Sequence, residues 1–309
     1  MADLTLGRLG IQFASPVILA SGAAGFGFEL ASELELSRIG AITIKAITKE
    51  PKSGNPQPRL VDCPSGALNS IGLENPGIEE FARTVYPQGR DLPPRRIVSL
   101  AAASASEMET LVGRASELPG LNAIELNLSC PNIGGKIAVA ADASAVVEYV
   151  HAAVGATSIP VLVKLPGDTG NLLESSERAL SEGAAGLTLI NSLRGLRIDW
   201  TTGQPFLSHV YGGLSGPAIL PISLARVFEV RNAFPETTII GTGGVSDLGS
   251  AIEMLMAGAD FIGIGFGLMV DPQLPVRIAC EMVRWLDERG ISSVEAIIGL
   301  AHSGGFDVR

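Results

Sequence analysis

The chain is predicted to be an α/β protein folded as a (β/α)8 barrel, and three observations carry that prediction. Eight short, near-continuous apolar runs punctuate the sequence, most of them ending in Gly, Ser, Asn or Lys. Helix-period segments lie between them, so strand and helix alternate as they do in a parallel sheet covered on both faces. After the eighth run comes a long helical segment, Leu274–Arg289, which favours a closed (TIM) barrel over an open doubly wound sheet.

The elements follow in order. Leu4 to Phe13 alternates around a Gly-bounded turn and predicts an N-terminal β-hairpin that plugs the barrel bottom. The expected strands are Pro16–Ala20, Ala41–Ile44, Arg96–Leu100, Ala123–Leu128, Pro160–Val163, Gly186–Ile190, Thr238–Ile240 and Phe261–Ile264. Helices are expected at Ser104–Leu118, Ala143–Val154, Leu172–Ser181, Ile222–Phe234 and Asp247–Ala257. Residues 46–80 and 193–221 are rich in Gly and Pro and read as long βα-loop insertions. Such loops form the active-site face of a barrel. Without a linker or repeat, residues 1–309 read as one domain.

Composition narrows the function. Apolar residues make up 46% and charged residues 17%, enough for a large core. A net charge of −10 with no basic run argues against nucleic acid and anionic membranes as partners. Three scattered cysteines fit neither a disulfide framework nor a metal site, and suit a reducing compartment. Met1–Thr5 lacks the basic and apolar segments of a secretory signal, and no window has transmembrane length. A soluble cytoplasmic protein is expected.

Chemistry collects at strand ends. Lys45, Asn127, Cys130, Asn132, Lys164, Asn191 and Ser192 come from separate strands that a barrel would bring to one mouth. A strand-end lysine is costly to desolvate unless something anionic or electron-rich meets it. Cys130 offers a thiol flanked by the carboxamides of Asn127 and Asn132, and Pro131 stiffens the loop between them. That combination suits proton removal from a planar polar heterocycle. Gly241–Asp247 and Gly265-Phe266-Gly267 read as a phosphate cup after the last two strands. Gly22–Gly27 has the wrong spacing for a dinucleotide fingerprint, and no triphosphate loop is present. His151, His209 and His302 read as isolated surface residues, and Cys63 and Cys280 as packing residues.

Further motifs complete a pattern: Ala20-Ser21-Gly22, Gly54-Asn55-Pro56-Gln57-Pro58-Arg59, Asn69 to Gly77, Asn127 to Asn132, Val163-Lys164-Leu165, Ile190-Asn191-Ser192, Gly212 to Ala218 and Ile240 to Val245. As an ordered set over almost the whole chain they resemble class 1 dihydroorotate dehydrogenases, most closely the catalytic subunit of class 1B. The resemblance implies a barrel that binds FMN and oxidises dihydroorotate to orotate in pyrimidine biosynthesis. It casts Cys130 as the base that takes the C5 proton while hydride leaves C6 for the flavin. It assigns Asn69, Ile71, Gly72, Leu73, Asn127, Asn132, Asn191 and Ser192 to substrate, and Lys45 to substrate and flavin together. Ala20, Ser21, Asn127, Lys164 and Ile190 are implied flavin contacts, and Gly216, Gly243, Gly244, Gly265 and Phe266 the phosphate cup. No metal is implied in this chain.

The resemblance also implies a homodimer core, extended in class 1B to a heterotetramer by a subunit carrying FAD and an iron–sulfur cluster, with NAD as final acceptor. Class 1A relatives use fumarate alone. Two readings stand beside it: action on another dihydropyrimidine such as dihydrouracil, and a flavin-binding barrel without turnover. The chain departs from the class 1B pattern at Gly134 to Ala143, where a Phe-Gly is missing and Ala143 replaces a proline. It departs again at Ser99-Leu100-Ala101, where an Asn is frequent. Differences from relatives are expected at the first of these.

Overall fold

A computed structural model describes residues 1–128, 139, 142–168 and 170–306. The chain opens with a hairpin of β1 (Leu6–Arg8) and β2 (Ile11–Phe13). Its turn places Leu9 and Gly10 at φ 56° and 69°, the left-handed pair that a two-residue hairpin turn needs. Phe13 projects onto Phe261, ring centroids 4.6 Å apart, and so stoppers the barrel from below.

Next come β3 (Val17–Leu19) and β4 (Ala41–Ile47), then β5 (Leu60–Cys63) and β6 (Gly66–Asn69). α1 (Ile78–Glu80) and α2 (Tyr86–Gly89) flank a π-helical stretch, Phe81–Val85. β7 (Arg95–Leu100), α3 (Ala105–Ser116), β8 (Ala123–Asn127), α4 (Ala143–Gly155), β9 (Val161–Pro166), α5 (Leu172–Ser181) and β10 (Gly186–Asn191) then alternate. β11 (Leu193–Leu196) and β12 (Tyr211–Ser215) precede α6 (Leu220–Ala233), β13 (Thr238–Thr242), α7 (Leu248–Met256) and β14 (Phe261–Ile264). α8 (Phe266–Val270) and α9 (Leu274–Glu288) follow. Ser104 and Asp247 cap α3 and α7 by accepting backbone N–H bonds from Glu107 and Ser250, which is why both helices start where the sequence predicts.

Eight parallel strands close into a barrel in chain order β3, β4, β7, β8, β9, β10, β13, β14, with β14 pairing back onto β3. Closure rules out the open sheet. The two long connections hold structure that the sequence did not reveal. The β5–β6 hairpin from one and β11–β12 from the other join through antiparallel β6–β12 pairing into a four-stranded sheet. No helix among the described residues is long and apolar enough to cross a membrane.

The strand register orders the barrel interior. Side chains alternate along a strand, and in this fold a layer takes its members from alternate strands. The pairings Thr43↔Ile97, Ser99↔Glu125, Glu125↔Leu162, Lys164↔Thr188, Thr188↔Ile240 and Thr242↔Gly263 advance two residues at every second strand. The lowest layer is then Ala41, Ala123, Gly186 and Phe261, and above it lie Ile18, Ile97, Leu162 and Ile240. The next holds Thr43, Glu125, Thr188 and Gly263. Above that come Ala20, Ser99, Lys164 and Thr242. A direct bond supports this: Thr188 Oγ1 donates to Glu125 Oε2 at 2.9 Å, reaching across β9. So does Gly263, where a Cβ would lie 2.2 Å from the Thr242 side chain. The interior thus changes from hydrocarbon at the hairpin end to polar at the other.

Candidate active site

One further step along the strands brings Lys45, Asn127, Ile190 and Gly265 to the C-terminal mouth. Six residues that the sequence singled out for a cofactor therefore share two successive levels: Ala20 and Lys164 below, Lys45, Asn127, Ile190 and Gly265 above. Lys164 is 7% exposed, and no carboxylate among the described residues lies within ion-pair distance of it. Lys45 is half-buried, its ammonium 5.6 Å from the centre of the Phe26 ring. Ser21 Oγ donates to the Ile44 carbonyl at 3.3 Å, which fastens the end of β3 to β4. Thr242 Oγ1 donates to the Ile190 carbonyl and ties β13 to β10 in the same way.

The residues expected on the substrate side are interlocked. Asn191 Nδ2 donates to Asn127 Oδ1 at 3.4 Å, and Asn191 Oδ1 accepts the Ser192 backbone N–H at 2.8 Å. Ser192 faces Gly213 so closely that a Cβ there would lie 2.1 Å from its hydroxyl. Asn69 Nδ2 donates to the Gly213 carbonyl at 3.3 Å. The insertion sheet explains this gathering, because β6–β12 pairing sets Asn69 opposite Gly213. Residues 70–73 form the adjoining edge. Asn55 holds the segment by donating to the Ser70 carbonyl and hydroxyl, both at 2.9 Å, while its own N–H donates to the Ile71 carbonyl. Gly72 and Leu73 turn there with φ of 80° and 56°. Buried Asn75 fixes the far end, donating to the Leu73 carbonyl at 2.7 Å and to Thr48 Oγ1 at 2.8 Å. The sequence named Asn69, Ile71, Gly72 and Leu73 as contacts but missed the supporting role of Asn55 and Asn75.

The glycine loops form the opposite side. A Cβ at Gly244 would lie 2.5 Å from Leu220, and one at Gly243 2.2 Å from Ser223 Oγ, so these two glycines let the loop lie against the start of α6. Gly216, with φ 113°, sits against Gly66, and its Cβ would lie 3.2 Å from Phe266. At Gly265 a Cβ would meet only Ala20, at 3.8 Å, so packing does not require glycine there. The segments at Gly216, Gly243–Gly244 and Gly265–Phe266 are thus neighbours, as a cup requires.

Cys130 and Asn132 lie outside the described residues, as does most of the atypical stretch 134–143. Within that stretch, Asp142 caps α4 by accepting the Ser144 N–H at 2.9 Å. Ser99, at the second departure, is fully buried in the barrel interior. The sequence also overlooked Glu125 and Thr188. Their signal was a polar residue inside an apolar strand, two positions before a site residue. His151 is not isolated: its ring pairs with Glu182 at 3.0 Å on the surface. His302 stacks on Phe228 at 3.9 Å, and Cys63 and Cys280 are half-buried. A groove of about 770 Å³ on the barrel flank is lined by Glu79, Arg83 and Arg114. Those charges neutralise one another, with Arg114 bonded to Glu79 at 3.0 Å and to Glu117 at 2.5 Å, so the groove offers a ligand little.

With the geometry in place, comparison with known proteins is direct. The model of the family described as dihydroorotate dehydrogenase matches residues 4–286. The chain is 36% identical over 297 residues to the catalytic subunit of dihydroorotate dehydrogenase B (NAD(+)) of Desulforudis audaxviator, covering 96% of each chain. Its counterpart in Geotalea uraniireducens is 38% identical over 298 residues, 96% of this chain and 97% of that one. The Geobacillus sp. subunit is 38% identical over 297 residues, 96% and 95% of the two chains. The chain belongs to the dihydroorotate dehydrogenase family.

Proposed function

We propose that this protein oxidises dihydroorotate to orotate in pyrimidine biosynthesis, with FMN held at the barrel mouth and Cys130 as the base. The observation that carries the reading is Lys164, a buried ammonium at the mouth with no carboxylate among the described residues within ion-pair distance. Such a charge is stable only if an anionic or electron-rich group meets it. A flavin fits this demand, because its reduced ring carries negative charge that Lys164 would stabilise. The cup at Gly216, Gly243, Gly244, Gly265 and Phe266 would take the single phosphate of FMN through backbone N–H groups. Ala20, Ser21, Asn127, Ile190 and Lys45 would hold the rest of the cofactor. The bound flavin supplies the hydride acceptor.

The chain's own residues do the remaining work. Asn69, Asn127, Asn132, Asn191 and Ser192, with the backbone at Ile71, Gly72 and Leu73, orient the heterocycle by donating to and accepting from its amides and carboxylate. Cys130 removes the proton from C5. A free thiol titrates near ~8.5, so the thiolate fraction and the rate rise toward alkaline pH. Flavin released from the purified protein is expected to be FMN, and anaerobic dihydroorotate to bleach the bound flavin where dihydrouracil does not. Release of FAD, or equal bleaching by both pyrimidines, overturns the assignment.

The relatives are named as catalytic subunits of an NAD(+) enzyme. We extend that to a partner subunit with FAD and an iron–sulfur cluster for this chain, tested by NAD reduction with and without the co-purified partner. A homodimer core is supported by the insertion sheet, which exposes Leu60, Leu196 and Tyr211, and by its β11–β12 connection, which exposes Ile198 and, at 91%, Trp200. A second copy is the proposed occupant of this face. Sedimentation is expected to show a dimer that Trp200→Glu shifts to monomer, and a monomeric parent contradicts the proposal.

A further inference from the structure

We propose that Glu125 is the buried counter-charge of the mouth, a positioning residue that steadies the Lys164 ammonium and sets how readily the bound flavin accepts electrons. The proposal rests on reading the mouth as a flavin site.

Glu125 lies mid-strand in β8, 1% exposed, one interior layer below Lys164 and on the adjacent strand. Its Oε2 accepts from Thr188 at 2.9 Å, while its Oε1 has no hydrogen-bond partner. Ser99 Oγ, paired in register with Glu125 on β7, is also without one. Beneath them lie Ile97, Leu162 and Ile240, which offer nothing to a charge. A carboxylate in such surroundings is costly unless a cation shares its low-dielectric space. Among the described residues the interior offers only Lys164 in the next layer, with Lys45 above it at the mouth. No ion pair within 4 Å joins Glu125 to either. The charges therefore act through the low-dielectric interior rather than by contact.

The direction of the effect follows. Lys164 favours electrons arriving at the mouth, and Glu125 opposes them. Asn127 is two residues nearer the mouth on the same strand, so Glu125 lies too deep to touch substrate. A purely structural role would ask only for an acceptor to the Thr188 hydroxyl, and glutamine supplies one of equal shape. Charge is what glutamine removes.

The test is the midpoint potential of the bound flavin in the parent, Glu125→Gln and Glu125→Asp holoproteins, titrated with dithionite. In Glu125→Gln the ratio of reduced to oxidised flavin at a fixed potential is expected to rise about tenfold, about 30 mV for a two-electron couple. In Glu125→Asp, which keeps the charge, it is expected to stay within about threefold of the parent. An unchanged or lowered ratio in Glu125→Gln overturns the proposal, as does an equal rise in both variants. If Glu125→Gln yields no folded protein, the parent is labelled with δ-13C-glutamate. Its reduced-minus-oxidised infrared difference spectrum is then expected to carry an isotope-sensitive carboxylate band, and a spectrum without one overturns the proposal. Protein that binds no flavin, or flavin that dihydroorotate leaves oxidised, counts against the proposed function instead. Flavin reduced normally at an unchanged potential in Glu125→Gln counts against the role of Glu125 alone.

Discussion

At the bottom of the barrel Asp260 is buried and fully engaged. It bonds Arg8 and Arg231, each at 2.7 Å, and accepts the Ile239 backbone N–H at 2.8 Å. Arg8 brings the N-terminal hairpin and Arg231 brings α6, so one carboxylate closes the floor. Toward the mouth, Lys164 and the deeper Glu125 are similarly buried, yet neither has an ion-pair partner among the described residues. Both ends spend desolvation on charge, but only the bottom recovers it by direct ion pairs within the chain. The contrast teaches where to look for a ligand: matched charge builds the fold, and unmatched buried charge marks what the fold is for.

Substitutions at the two ends should separate along the same line. The largest effect is expected from Cys130→Ser, which removes the proposed base. Flavin reduction by dihydroorotate should slow by about 10²- to 10⁴-fold, with bound flavin and melting temperature unchanged. Stopped-flow absorbance measures it, and an unaltered rate removes Cys130 from the chemistry. Lys164→Met comes next, with flavin reduction slowed by about 10²-fold and weaker flavin retention, because a preorganised charge is lost where negative charge develops. A Lys164→Met protein as active and as yellow as the parent breaks the comparison at the mouth.

Asp260→Asn should do the reverse. Two arginines lose their shared carboxylate, and stability should fall by about 3 kcal/mol in urea melts while the flavin-reduction rate per bound flavin holds. Activity lost in step with stability would mean the floor is not independent of the mouth. The smallest effect belongs to Asp247→Ala, about 1 kcal/mol from a lost helix cap. The backbone N–H of Ser250 holds the Asp247 carboxyl below its ordinary value. That stability is present above the unfolded carboxyl's pKa and is lost as pH falls through the lower folded value. The gap between parent and variant should therefore close in acid.

Much of this architecture was legible from sequence because parallel strands buried on both faces read as apolar runs, and their ends read as chemistry. The strand ends at Lys45, Asn127, Lys164, Ile190 and Asn191 do meet at one mouth. The insertion sheet was not legible. Gly66–Asn69 and Tyr211–Ser215 are short, and the latter is part of a glycine-rich segment, so propensity is weak; their pairing spans more than a hundred residues, which local pattern does not encode. Consequently Asn69 and Ser192 looked like separate residues, whereas Gly213 sets them side by side. Glu125 was hidden for a different reason. One polar residue within Ile124-Glu125-Leu126 resembles noise until the register shows Thr188 reaching for it.

Rapid anaerobic mixing of the holoprotein with dihydroorotate, repeated across pH, decides whether a flavin and the Cys130 thiol share this mouth. Bound FMN is expected to bleach at a rate that climbs through the thiol range at ~8.5, with dihydrouracil leaving the flavin oxidised. Flavin that stays oxidised with dihydroorotate at every pH, or that both pyrimidines bleach alike, would contradict it.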